Sequence, residues 1–196
     1  MTAALPLLTF GHGTADQAAV VETLRSAGVV NLVDVRRFPG SRRHPHVAWD
    51  ELERWPPEAG VDYLWEPRLG GRRSAPRGEQ ERDVWWEVAA FRAYAAHTRT
   101  EEFRVAADLL LEAAADRRTA VMCSEAVWWR GHRRLIADVA VLLHGRPVQH
   151  LAHDGRLSPH VAAAGARVTA EGLVHDRPAT APSPELSPQP EPPAPR

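Results

Sequence analysis

Four arginines, Arg36, Arg37, Arg42 and Arg43, follow the apolar segment Val29 to Val33 within the run Asp34 to Pro45, DVRRFPGSRRHP. Guanidinium groups bind phosphate and carboxylate through paired, charge-assisted hydrogen bonds. Two further groups follow later apolar segments: Arg68, Arg72 and Arg73, then Arg130, Arg133 and Arg134. Open parallel sheets bind ligands beyond the carboxyl ends of their strands, so parallel strands would bring all three groups to one rim. Arg36, Arg42, Arg72 and Arg133 are the expected anion holders, with Arg37, Arg43 and Arg73 beside them and Asp34 orienting an arginine. For any single arginine a solvated ion pair is the plainer reading, and it is the three groups together that point to a site.

Other residues add chemistry to that rim. His12 lies in FGHGT, where Gly11 and Gly13 let the backbone approach a ligand and a following helix start offers free amides. Gly70 and Gly71 give LGGRR the same freedom. Cys123, Glu125 and His132 fall in VMCSEAVWWRGHRR. Glu125 and His132 form a candidate acid/base pair, although Glu125 also suits neutralising the arginines. A thiol near a helix start and arginines is a candidate nucleophile. Phosphatase-like and rhodanese-like loops, however, close with arginine about five residues on, whereas Arg130 is seven positions from Cys123. A buried structural cysteine is therefore the preferred reading. Trp128 and Trp129 sit in the arginine-bearing loop, where Trp128 either supports the site by packing or stacks on a planar ligand. His44 with His46, and His150 with His153, lack further ligands at metal spacing, so no metal and no cofactor is expected.

Composition narrows the chemistry. All 24 cationic residues are arginine, which removes Schiff-base catalysis and the lysine-containing P-loop. A formal charge of -1 argues against a protein that coats nucleic acid through general basicity. One cysteine excludes an internal disulfide. The start MTAALPLLTF carries no charged leader, and no stretch is long and apolar enough to span a bilayer, so a reducing cytoplasmic location and no membrane partner are expected. At 196 residues and 44% hydrophobic content the chain suits one core.

The elements that must position these residues follow from local pattern. Leu7 to Phe10 reads as a buried strand, Thr14 with Gln17 as a capping box opening a helix to Ala27, and Gly28 as its stop. Val29 to Val35 is the second strand, which makes a strand, helix, strand unit with parallel pairing. A short helix over Ala48 to Trp55 should stop at Pro56 and Pro57, and Val61 to Trp65 is the third strand. Residues 66–82 read as an irregular binding loop. Helices are expected over Asp83 to His97 and, capped by Thr100, over Glu101 to Ala115. Thr119 to Met122 is apolar throughout and therefore central, followed by a helix from His132 to His144, a stop at Gly145 and a last strand from Val148 to Leu151. The predicted fold is a single α/β domain over residues 5–160, with a mainly parallel sheet of about five strands flanked by helices. Residues 161–175 are an uncertain extension. From 176 to 196, eight of the chain's 17 prolines predict a disordered tail.

The ordered series FGHGT, DVRRFPGSRRHPH, GVDYLWEPRLGGRR, TEEF, VMCSE and GHRRLIAD followed by VQHL resembles the bacterial domain of unknown function 488 family, from about Leu7 to Leu151. The resemblance implies one compact α/β domain and places His12, Asp34, Arg36, Arg42, Gly70, Gly71, Cys123, Glu125, His132 and Arg133 on signature positions. It supplies no reaction. The family usually carries cysteine before the histidine of its CHRR motif, where this chain has Gly131. Any mechanism that needs two thiols is therefore in doubt here.

The leading expectation is an arginine-lined pocket at the strand ends for a phosphorylated small molecule or nucleotide, with His12, Glu125 or His132 available for proton transfer if the protein is an enzyme. The alternatives are a non-catalytic module that binds nucleic acid, and a cysteine-dependent transferase or phosphatase-like enzyme acting through Cys123. The sequence does not give the oligomeric state.

Overall fold

The computed structural model describes residues 5–75 and 78–176. Five strands run parallel through its centre: β1 (Leu7–Gly11), β2 (Asn31–Asp34), β3 (Asp62–Trp65), β4 (Thr119–Cys123) and β5 (Val148–Leu151). A sixth, β6 (Leu157–Pro159), pairs antiparallel with β5, and the order across the sheet is β3-β2-β4-β1-β5-β6. The expected mainly parallel α/β architecture is thus present, with one strand more than predicted.

Helix α1 (Gln17–Ser26) connects β1 to β2. The two strands are parallel but not adjacent, because β4 lies between them and pairs with both. Its apolar sequence TAVMC is what a strand buried on both faces requires, and all five residues are buried. Alternate residues feed two cores. Leu8, Phe10, Leu32, Ala120 and Met122 pack with Val20 and Leu24 of α1 and with Val47, Leu52 and Trp55. Leu7, Val33, Val35, Val121 and Cys123 face the opposite side, covered by α4 (Ala89–Thr98), α5 (Glu101–Asp116) and α6 (Arg133–Leu142). In α5 the buried positions Phe103, Ala106, Ala107, Leu110, Leu111 and Ala114 recur at helical spacing, and Thr100 caps it by accepting from the Phe103 amide at 3.3 Å, as predicted.

Several local expectations are corrected. Asp16, not Thr14, caps α1, accepting from the Ala19 amide at 2.9 Å, because a turn closed by the Ala15 amide on the His12 carbonyl delays the helix. Residues 48–55 form no single helix. Two short ones occur instead, α2 (Trp49–Leu52) and α3 (Trp55–Glu58), and Pro56 and Pro57 open α3 rather than stop α2, since a first helical turn needs no amide donors. The segment 66–82 contains 3-10 turns at Pro67–Leu69 and Glu79–Asp83. Helix α4 starts at Ala89 instead of Asp83, whose carboxylate is held by Arg99 and the His175 amide.

Residues 161–175 contain the antiparallel pair β7 (Ala166–Thr169) and β8 (Gly172–His175), with Leu173 joining the core beneath α4. The tail beyond Asp176 lies outside the described residues. No helix among the described residues is long and apolar enough to cross a membrane.

Candidate functional site

Three neighbouring strands end on the same rim: β1 at Gly11, β2 at Asp34 and β4 at Cys123. The loops leaving them are packed backbone to backbone, which explains the glycines. A Cβ at Gly11 would lie 1.8 Å from the Glu125 carbonyl oxygen, and one at Gly70 would lie 2.7 Å from the Arg37 amide nitrogen. Gly13 holds φ +54, a left-handed backbone that suits glycine, while Gly71 leaves room for the His132 ring, whose Nδ1 would be 3.0 Å from a Cβ there. Above this floor opens a cleft of about 480 Å³.

The arginines separate into two kinds. Arg36 is buried and its fork grips Asp34, with Nε at 2.9 Å and Nη2 at 2.6 Å, while Nη2 also donates to the Val47 carbonyl at 2.8 Å. Asp34, with no exposure, also accepts from the Tyr63 hydroxyl at 3.0 Å. Asp34 therefore orients an arginine as expected, but the pair braces the cleft wall and leaves Arg36 little capacity for a ligand. Arg133 is 1% exposed and donates through Nη2 to the Glu125 and Ala126 carbonyls at 2.6 and 2.8 Å, tying down the loop after β4. Arg73 ties the glycine loop through the Pro67, Arg68 and Gly70 carbonyls and pairs with Glu102. Arg42 and Arg43 are exposed and do not line the cleft.

Of the four arginines first expected to hold an anion, only Arg72 is free in the cleft. Arg37 and Arg130 line it too. Arg37 donates to the Arg72 carbonyl at 2.9 Å, and its guanidinium lies 5.4 Å from the Phe38 ring centroid. Arg72 is the one described non-glycine residue with positive φ, at 56°. The Arg72 and Arg130 side chains have no hydrogen-bond or ion-pair partner among the described residues. Arg130 ends the 3-10 turn Trp128–Arg130.

The proposed proton carriers differ in availability. His12 Nδ1 is 3.0 Å from the Gly13 carbonyl, so it bears the proton; Nε2 then accepts from Arg36 Nη1 at 3.3 Å. Burial, with the Arg36 charge, lowers its pKa to about 4, which leaves a neutral ring with both nitrogens engaged. Burial likewise lowers His132 to about 4, a shift that the Val35 backbone partly opposes. Glu125 is exposed and lines the cleft beside Ser124. Cys123 has no exposure, burial raises its thiol above the ordinary range, and the sulfur points back to the Glu125 carbonyl at 3.8 Å. This geometry gives a packing cysteine rather than a nucleophile. A Cβ at Gly131 would lie 3.5 Å from its sulfur, so the position that usually holds cysteine in the resembled family abuts this thiol.

Trp128 stacks on His150, centroids 4.0 Å apart and planes within 6°, which assigns it to support and leaves Trp129, 54% exposed, as the solvent-facing member of the pair. Sequence reasoning named Arg130 but did not place it among the anion holders, and it missed Phe38, His44 and Phe91 as lining residues. One usable signal was present: an aspartate ending a buried strand two residues before Arg36 marks that arginine as paired.

No curated protein and no solved structure matches this chain. One family model does, over residues 16–140, more than half of the chain and all of the cleft-forming loops from Arg36 to His132. The loops after β2, β3 and β4 thus fall within the matched unit, while the Gly11–Gly13 loop after β1 precedes it, and the chain belongs to the family described as Domain of unknown function DUF488.

Proposed function

We propose that the cleft binds a phosphorylated small molecule or nucleotide. The observation that carries this reading is the convergence of Arg37, Arg72 and Arg130 on one cleft, none of them with an acidic partner among the described residues. Unpaired cations facing a concave site are what an anionic ligand complements. The start of α6 supports it: Gly131 and His132 line the cleft, and its first turn has no side-chain cap and no acidic residue. Phe38 and Phe91 add apolar wall for the rest of the ligand. Glu125 is exposed and lines the same cleft, which makes it the carboxylate that would take a proton if the ligand brings a reacting hydroxyl.

Thermal-shift measurements with nucleotides and sugar phosphates, alongside mass spectrometry of any ligand retained on purification, test the proposal. A ligand at about 100 times its Kd adds about 2.7 kcal/mol, several degrees for a chain of this size. Stabilisation that disappears in Arg130→Ala supports the reading, and a full panel without effect contradicts it. Steep loss of affinity with salt, for oligonucleotides only, would favour a nucleic-acid module.

A further inference from the structure

Two oppositely charged groups share the cleft without meeting. Glu125 and Arg130 both line it, yet neither charged group has a hydrogen-bond or ion-pair partner among the described residues. An occupant made of oxyanion alone would satisfy the arginines and be repelled by the carboxylate. An ionised carboxylate only accepts hydrogen bonds, so its complement is a set of O–H groups carried beside the anion.

Phe38 adds a third kind of surface. It lines the same cleft and is 62% exposed, with the Arg37 guanidinium over its ring at 5.4 Å from the centroid. Its loop is anchored on both sides. Trp65 Nε1 donates to the Arg36 carbonyl at 2.8 Å before it, and the Ser41 hydroxyl accepts from the His44 amide at 3.0 Å after it. A lone phenylalanine on a convex surface needs no explanation, but a ring held in a concave site and left uncovered by the fold is a stacking platform. Phe91, also in the cleft, is braced from behind by Trp86, with centroids 5.0 Å apart and planes within 17°. Arg37 Nη1 donates to the Arg72 carbonyl at 2.9 Å, which joins the Phe38 loop to the glycine loop, whereas Glu125 and Arg130 come from the loop after β4.

We propose that the anion of this cleft is a ribonucleoside phosphate, an inference that rests on the anion-binding reading above. The base stacks on Phe38, the ribose hydroxyls donate to Glu125, and the phosphate meets Arg72 and Arg130. A sugar phosphate would leave Phe38 uncovered, and inorganic phosphate would leave both Phe38 and Glu125 without a partner. The cleft volume of about 480 Å³ lies within the roughly 300–1,000 Å³ of small-molecule sites.

Calorimetric titration of the full chain with AMP, GMP, CMP, UMP, ribose 5-phosphate and inorganic phosphate tests this. The tightest nucleotide should bind at least roughly tenfold better than ribose 5-phosphate, the gain expected of one stacked base. Phe38→Ala should erase that difference with the ribose 5-phosphate Kd and the unfolding midpoint unchanged, and Phe38→Trp should retain it. The 2′-deoxy counterpart should bind roughly tenfold more weakly than the ribonucleotide to the wild type, and that gap should shrink in Glu125→Gln. Ribose 5-phosphate as tight as every nucleotide, or an equal loss for both in Phe38→Ala, would overturn this inference and leave the anion-binding reading standing. Equal affinity for ribo and deoxy forms would overturn it in the same way. No binding of any of these phosphates would overturn both.

Discussion

Removing Arg36 leaves the Asp34 carboxylate buried at zero exposure with the Tyr63 hydroxyl and the residue-36 amide as its remaining partners. Breaking a buried pair from one side typically costs about 3–5 kcal/mol, because the survivor keeps its charge without compensation. Arg36→Ala should show a loss of that order in urea unfolding, and a loss under about 1 kcal/mol would mean that the pair is not structural. Arg72 is the contrasting case. A side chain at φ 56 is held in a conformation that costs roughly 1–2 kcal/mol outside glycine, with no partner here to compensate. Arg72→Gly should therefore keep or slightly raise stability while weakening anion binding. Were it to destabilise the fold by as much as Arg36→Ala, Arg72 would belong with the braces.

At the scale of elements, three histidines at the ends or within the core of strands and helices set the acid limit. Burial lowers His12 and His132 to about 4 and His150 to about 3, from an ordinary value of 6.5. Each remains neutral in the folded chain while the unfolded chain takes up a proton. Their contribution is therefore complete above pH 6.5 and is lost as pH falls towards 4. His175 in β8 has the opposite sign. Asp138 and Asp83 overcome its burial and raise its pKa, so its contribution is complete below pH 6.5 and disappears as pH rises through the folded value. Unfolding free energies that stayed constant from pH 7 to 5 would contradict this account of the three neutral rings.

The β7–β8 pair depends on the same network. Asp83 accepts from Arg99 at 2.8 Å and from the His175 amide at 2.9 Å, and Arg99 donates to the Leu173 carbonyl at 2.9 Å. Asp83→Ala should cost about 3–5 kcal/mol, with amide exchange in residues 172–175 accelerating before that of β1 or β4. Uniform acceleration across the sheet would show that the pair has no separate anchorage. The sequence did not reveal these strands for the same reason: a carboxylate some ninety residues upstream holds them, and no local period reports it. All five parallel strands were legible: β1, β2 and β4 are buried along their whole length and mostly apolar, while β3 and β5 were marked by short β-branched and aromatic runs between turn signals.

Across the whole molecule, a net charge of -1 coexists with a cleft lined by Arg37, Arg72 and Arg130, none of them ion-paired among the described residues, against one exposed carboxylate, Glu125. Net charge alone therefore understates what the surface can bind. The parallel order that brings the strand ends together was readable from the strand, helix, strand pattern, and with it the rim on which the cleft opens. The division of labour among the arginines was not, because pairing depends on carbonyls such as Val47, Glu125 and Ala126 that become neighbours only after folding. Calorimetric titration of the tightest phosphorylated compound into the wild-type protein and into Arg72→Gly/Arg130→Ala tests the central claim most directly. The account predicts at least a roughly tenfold weaker Kd for each guanidinium lost, since one charge-assisted hydrogen bond contributes about 1.5–3 kcal/mol, with an unfolding midpoint no lower than that of the wild type. Equal affinities for the two proteins would contradict it.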